Sequence, residues 1–280
     1  MPSQVYERSA RLPGGLALPY LEHGRRNGVP VLLLHGITDS CRAFEPALPD
    51  LPESLHALAL SQRGHGDAGA AQGYRLEDFA ADLASFMDVL ALDEAVIVGH
   101  SMGAAVAQRF AIDHPERVLG LVLVGGSPAF GRNPDLVAFG ETVVMSLTDP
   151  VDPTVARGFQ ESTLARPIAE PMLDLFVSES LKVPARVWKE AWAGLMAGDL
   201  TAELPYVAAP TLMIWGDRDT IATKADQDTL VGSIPGSRIV TFAGAGHALH
   251  WEEPARFAAL VAEFALAAAS GRDFAAQSAA

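Results

Sequence analysis

The pattern of apolar and polar positions divides the chain into alternating elements with one long interruption. Residues 4–12 and 16–23 alternate with period two, as half-buried strands do, and Pro13-Gly14-Gly15 supplies a turn between them. Val31, Leu32, Leu33 and Leu34 form a continuous apolar run, the pattern of a strand buried on both faces of a parallel sheet. A short helix is predicted over 44–51 and another strand over 55–60. The period then changes: Leu76, Phe79, Ala80, Leu83, Phe86, Met87 and Leu90 recur at helical spacing, with Glu77, Asp78, Asp82 and Asp88 on the other face. A strand at 95–98, a helix at 102–112 and a strand at 119–124 follow. Strands alternating with helices imply a mostly parallel sheet with right-handed crossovers.

Residues 128–205 break this rhythm. They carry no strong strand signal, and prolines punctuate helical patterns at 136–145, 153–164, 171–180 and 185–196. Phe159, Met172, Phe176, Trp188, Trp192 and Met196 are more large side chains than the sheet can cover. This stretch is therefore predicted to be a helical cap inserted into an α/β core formed by 1–127 and 206–280. Beyond it come a strand at 211–215, a helix at 222–231, a strand at 238–242 and a helix at 254–268, which brings the predicted strands to eight.

Composition narrows the partners. Across 280 residues the formal charge is -14, which argues against a nucleic-acid or anionic-membrane surface. The single cysteine, Cys41, excludes an internal disulfide and suits a reduced compartment. Residues 1–11 contain no apolar core of a signal peptide, and the longest apolar run, 257–269, is too short to span a bilayer and carries Glu263. A cytoplasmic protein with no nucleic-acid or membrane partner is expected.

Candidate chemistry centres on Gly99-His100-Ser101-Met102-Gly103, where a β-branched strand turns directly into an Ala-rich helix. Such a turn lifts the Ser101 hydroxyl clear of the sheet edge. It also leaves the Met102 N–H at a helix N-terminus, where free donors favour a developing oxyanion. A serine hydroxyl needs a base, and the base needs a group to hold it. His247, in a glycine-flanked loop after the last strand, stands where catalytic groups of open α/β sheets gather. Asp217 and Asp219, after the 211–215 strand, could each orient it; the loop after 119–124 holds Gly125, Gly126 and Ser127 and no carboxylate. His35-Gly36 lets the chain turn so that the Ile37 N–H can serve as a second oxyanion donor. His247 and His250 have no acidic cluster at ligand spacing, so no metal and no cofactor are expected.

The chain resembles the α/β-hydrolase superfamily in its capped, cofactor-free branch. The likeness rests on His35-Gly36, Arg63-Gly64-His65-Gly66-Asp67, Gly99-His100-Ser101-Met102-Gly103, Trp215-Gly216-Asp217-Arg218-Asp219 and Gly246-His247. It implies Ser101 as nucleophile, His247 as base, and Asp219 rather than Asp217 as the acid, in the chain order Ser, Asp, His. Epoxide hydrolases and haloalkane dehalogenases of this superfamily carry an aspartate where Ser101 stands, so those activities are not expected. The implied activity is hydrolysis of a carboxylic ester or lactone through an acyl-enzyme. Carbon–carbon bond hydrolysis or perhydrolysis with the same triad, and ligand reception without turnover, are the alternatives. Residues 35–67 also look like a group of bacterial esterases that includes macrolide-cleaving enzymes. A bulky or macrocyclic lactone such as a macrolide is thus the expected substrate, with His100, Phe159, Trp188 and Trp192 expected to contact it.

Overall fold

The computed structural model describes residues 4–272 and residue 274. Eight strands form one sheet: β1 (Tyr6–Arg11), β2 (Ala17–Gly24), β3 (Val29–Leu34), β4 (Leu55–Leu60), β5 (Ala95–His100), β6 (Val118–Val124), β7 (Thr211–Gly216) and β8 (Arg238–Phe242). Their order is β1-β2-β4-β3-β5-β6-β7-β8. The β1–β2 and β2–β4 pairs are antiparallel, and all pairs from β4 to β8 are parallel.

The continuous apolar runs are continuous because both faces are covered. Leu32, Leu34, Ile97, Leu121, Leu123 and Met213 belong to the core on one face, with helices α1 (Leu76–Val89) and α2 (Met102–Asp113). Val31, Leu33, Val96, Val98, Val122 and Ile214 belong to the core on the other. That second core also takes Leu249 and Trp251, at the end of the chain's course where a short helix and a long one close the fold. Successive residues alternate between the two cores, as the pleat requires.

Four helices lie between β6 and β7: α3 (Pro134–Thr142), α4 (Pro153–Ser162), α5 (Glu170–Leu181) and α6 (Ala185–Ala197). Three begin with proline at the first or second helical position, where a missing N–H costs nothing. Helix α7 (Lys224–Ser233), the short α8 (Leu249–Glu252) and α9 (Pro254–Ala269) complete the chain.

One predicted element changes character. In place of a helix over 44–51 the chain forms two 3₁₀ turns, Cys41–Phe44 and Leu48–Asp50. Pro46 and Pro49 remove backbone donors from this stretch, so α-type hydrogen bonding cannot run through it. Helix α8 was not anticipated; four residues are too few to set up a period.

The chain passes from β3 to β4 on one side and then to β5 on the other. The crevice at the carboxyl ends of β3 and β5 is thus the switch point of the sheet, where open α/β folds bind ligands.

Candidate active site

Ser101 occupies this switch point. It joins β5 to α2 at φ 54° and ψ -118°, a conformation that costs a non-glycine residue about 1–3 kcal/mol. The turn is held from both sides: Ser101 N–H donates to the Val124 carbonyl at 3.0 Å, and its own carbonyl accepts from Ala104 N–H at 2.8 Å. The flanking glycines are a steric requirement. A Cβ at Gly99 would stand 2.2 Å from the Gly103 carbonyl oxygen, and one at Gly103 would stand 2.2 Å from the Leu34 carbonyl oxygen.

His247 follows β8 and is buried. Its Nδ1 lies 2.8 Å from Asp219 Oδ2. A carboxylate only accepts, so Nδ1 carries the proton and Nε2 is left as an acceptor. Nε2 has no hydrogen-bond partner among the described residues. The Ser101 hydroxyl is therefore not yet bonded to it, as is common in sites without substrate. Asp219 is fixed in turn, its Oδ1 accepting from the N–H groups of Ile221 (2.8 Å) and Ala222 (2.9 Å). Asp217 does something else: its Oδ1 accepts from Gly244 N–H at 2.6 Å, closing an exposed loop away from the imidazole. A Cβ at Gly125 would approach His247 Nδ1 to 2.9 Å, which explains why the loop after β6 carries no side chain there.

Ile37 lines the same cavity as Ser101 and His247, on the loop after β3, while Met102 opens α2. Neither amide takes part in the turn and side-chain hydrogen bonds around the elbow. His35 braces the loop. Its Nε2 accepts from Gln62 N–H at 2.9 Å, so Nδ1 is the donor to the Gly36 carbonyl at 2.7 Å. Burial, assisted by nearby His65, holds its pKa well below the usual histidine range, so it stays neutral.

His100 also lines the cavity. Its Nε2 lies 3.2 Å from the His247 carbonyl oxygen and so carries the donated proton, tying the elbow to the base loop. The His100 ring stands 4.3 Å from that of His250 and 4.9 Å from that of His247. Burial, then the neighbouring His250 and His247, lowers the pKa of His100 well below its ordinary value; burial and His247 lower that of His250 to about 3. Among the described residues no three His, Cys, Asp or Glu side chains gather as a metal site, and no helix is long and apolar enough to cross a membrane.

The cavity encloses about 440 Å³, its mouth included. Phe159 of α4 and Trp192 of α6 form part of its wall, with Leu136, Met196, Ile221 and Trp251. Trp188 does not. It is completely buried behind Phe159, ring against ring at 5.5 Å, so its expected substrate contact is corrected to a packing role. The two tryptophans are one helical turn apart, but the line between lining and backing falls between them.

Three buried polar residues here escaped the sequence reading. Asp39 and Gln160 face the cavity, and Gln160 Nε2 donates to Asp39 Oδ1 at 2.8 Å. Glu252 Oε1 accepts from Gly246 N–H (3.0 Å) and Ala165 N–H (2.8 Å), joining the base loop to the segment after α4. Each acts through a partner far away in sequence, and local pattern carries no trace of that.

A mostly parallel sheet thus carries a strained serine at its switch point, on one cavity with a histidine held by an aspartate. The chain belongs to the alpha/beta hydrolase fold family, whose model matches residues 29–254. It is 25% identical over 252 residues to the AB hydrolase superfamily protein YisY of Bacillus subtilis, covering 86% of this chain and 92% of that one. The esterase EaEST from Exiguobacterium antarcticum shares the fold with a TM-score of 0.83 at 23% identity, covering 93% of this chain and 100% of that one. The enol-lactonase from Burkholderia xenovorans gives 0.79 at 23% identity, covering 92% and 99%.

Proposed function

We propose that the protein hydrolyses a carboxylic ester or lactone through an acyl-enzyme on Ser101. The observation that carries this reading is His247: its Nδ1 is bound to Asp219, and its Nε2 is free at the cavity that Ser101 lines. Nε2 takes the Ser101 proton as the oxygen attacks the carbonyl carbon. The Ile37 and Met102 amides hold the oxyanion, and the imidazolium returns the proton to the departing alkoxide. A water then repeats the sequence on the acyl-enzyme and releases the acid and the free serine. Esterase and enol-lactonase relatives support this class of reaction.

The apolar wall points to a substrate with a substantial hydrocarbon portion. A macrocyclic lactone such as a macrolide is the largest member of the proposed class. Release of acid from a graded panel of esters and lactones, by wild type and by Ser101→Ala, tests the reading; turnover of none, or turnover that survives the substitution, refutes it.

Trp192 sets the width of this cavity. Its ring packs 5.4 Å from Phe139, and a Cβ at Gly140 would stand 2.4 Å from its Nε1, so Gly140 leaves room for the indole. Trp192→Ala is expected to shift the kcat/KM ratio of bulky over short esters by about tenfold toward the bulky ones. The cost in stability should be about 3–5 kcal/mol. Steady-state kinetics on both substrates, with a denaturation curve, checks both figures; an unchanged ratio would make Trp192 a packing residue only.

A further inference from the structure

The cavity contains one acidic side chain for which the proposed reaction has no use. Asp39 reaches it from the loop after β3, two residues beyond Ile37, and is only 5% exposed. Its one side-chain hydrogen-bond partner among the described residues is Gln160, which occupies Oδ1. No Lys, Arg or His among those residues forms an ion pair with it. His247 is engaged by Asp219, and His100 lies across Gly36, where an added Cβ would be 3.0 Å from both Asp39 Oδ2 and His100 Nδ1. Burial pushes the Asp39 carboxyl up to about 7, against the opposing influence of Gln160, His247 and the Gly36 amide.

A carboxyl buried without a cation costs stability, and an asparagine could accept from Gln160 without that cost. The adjacent Thr38 adds to the oddity, a β-branched residue held at φ 70°. Strain and an acid without a paired cation on the loop that carries Ile37 mark a functional constraint rather than a packing solution. Nor does Asp39 alone tie α4 to the core, since Gln160 Nε2 also reaches Ser180 Oγ of α5 at 2.6 Å, and Ser180 Oγ in turn lies 3.2 Å from Thr38 Oγ1 on the loop after β3.

We propose that Asp39 forms a specificity subsite that takes a hydrogen-bond-donating group of the substrate, a hydroxyl or an ammonium, close to the scissile carbonyl. The subsite deepens the ester-hydrolase reading and rests on it for the word substrate. Its physical content is that a further donor or a cation, which the described residues do not pair with Asp39, arrives with the ligand. Ligands lacking it leave the carboxyl with only Gln160 and the Gly36 amide and bind more weakly.

The test separates binding from turnover. In a Ser101→Ala background, the fluorescence of Trp192 and Trp251 is titrated with ethyl butyrate, ethyl 3-hydroxybutyrate and ethyl 3-aminobutyrate. The same groups are also placed on the alcohol side, as 2-hydroxyethyl and 2-(dimethylamino)ethyl butyrate. At least one donor-bearing ester is expected to bind about tenfold or more tightly than ethyl butyrate. That preference should vanish in Ser101→Ala/Asp39→Ala, and the ammonium preference should vanish in Asp39→Asn as well, although asparagine can still accept from Gln160. Equal binding of all five esters, or a preference that survives both Asp39 substitutions, overturns the subsite. A uniform weakening of all five in the Asp39 variants also overturns it, because that is what a purely structural tie would give. Acid release by the Ser101 protein is measured separately. Donor preference without turnover of any ester would refute the hydrolase reading alone, and turnover of ethyl butyrate without donor preference would refute the subsite alone.

Discussion

Ser101→Ala is expected to fold normally and to lose about three or more orders of magnitude in kcat/KM for any ester the wild type hydrolyses. The two halves of this expectation have separate causes. Alanine keeps the Cβ and so inherits the same φ of 54°, the same bond from its N–H to Val124 and the same glycine neighbours; the elbow has no reason to rearrange. What disappears is the oxygen that carries the acyl group. The oxyanion donors and the cavity wall remain, and these alone give only residual acceleration. Thermal unfolding with kinetics on one good substrate decides the point. A correctly folded Ser101→Ala protein with near-normal turnover would remove the acyl-enzyme from the account.

Asp219→Asn is expected to cost about a thousandfold or more, and Asp217→Asn less than about tenfold. The geometry separates two carboxylates that stand two residues apart. Asp219 holds the Nδ1 proton and is itself fixed by two backbone amides. With asparagine there, the imidazole either loses its partner or turns to the tautomer whose Nε2 carries the proton, and then it cannot accept from Ser101. Among the described residues the Asp217 side chain accepts from Gly244 N–H only, a bond that the amide oxygen of asparagine can also accept. The kcat values of the two variants, measured side by side on one substrate, test this. The reverse ranking would move the acid role to Asp217.

The extent to which this site was legible in the sequence follows from how local each determinant is. The β3, β5, β6 and β7 strands announce themselves because both faces are buried, so apolar residues run without a break. The elbow is legible because Gly99, Ser101 and Gly103 must all lie within five residues. Asp219 and His247 lie apart in sequence, but each follows a strand that ends at the same edge, and topology brings them together. Asp39, Gln160 and Glu252 were illegible because each is defined by a partner from another element. Trp188 departed from expectation for a subtler reason. Spacing of four puts Trp188 and Trp192 on one face of α6, but Phe159 of α4 covers the first and leaves the second at the cavity. Nothing in α6 itself encodes that. Likewise the 44–51 stretch has helical spacing, and its prolines decide against a helix.

The central claim is that Ser101 is an activated nucleophile, and covalent labelling tests it most directly. A fluorophosphonate should add once per chain. Peptide mass spectrometry should place the adduct on Ser101, and Ser101→Ala should remove it. His247→Ala should slow labelling by orders of magnitude while leaving the fold intact, because the hydroxyl is nucleophilic only when a base takes its proton. An adduct on another residue, or an unlabelled Ser101 in a protein that still hydrolyses esters, would contradict the account.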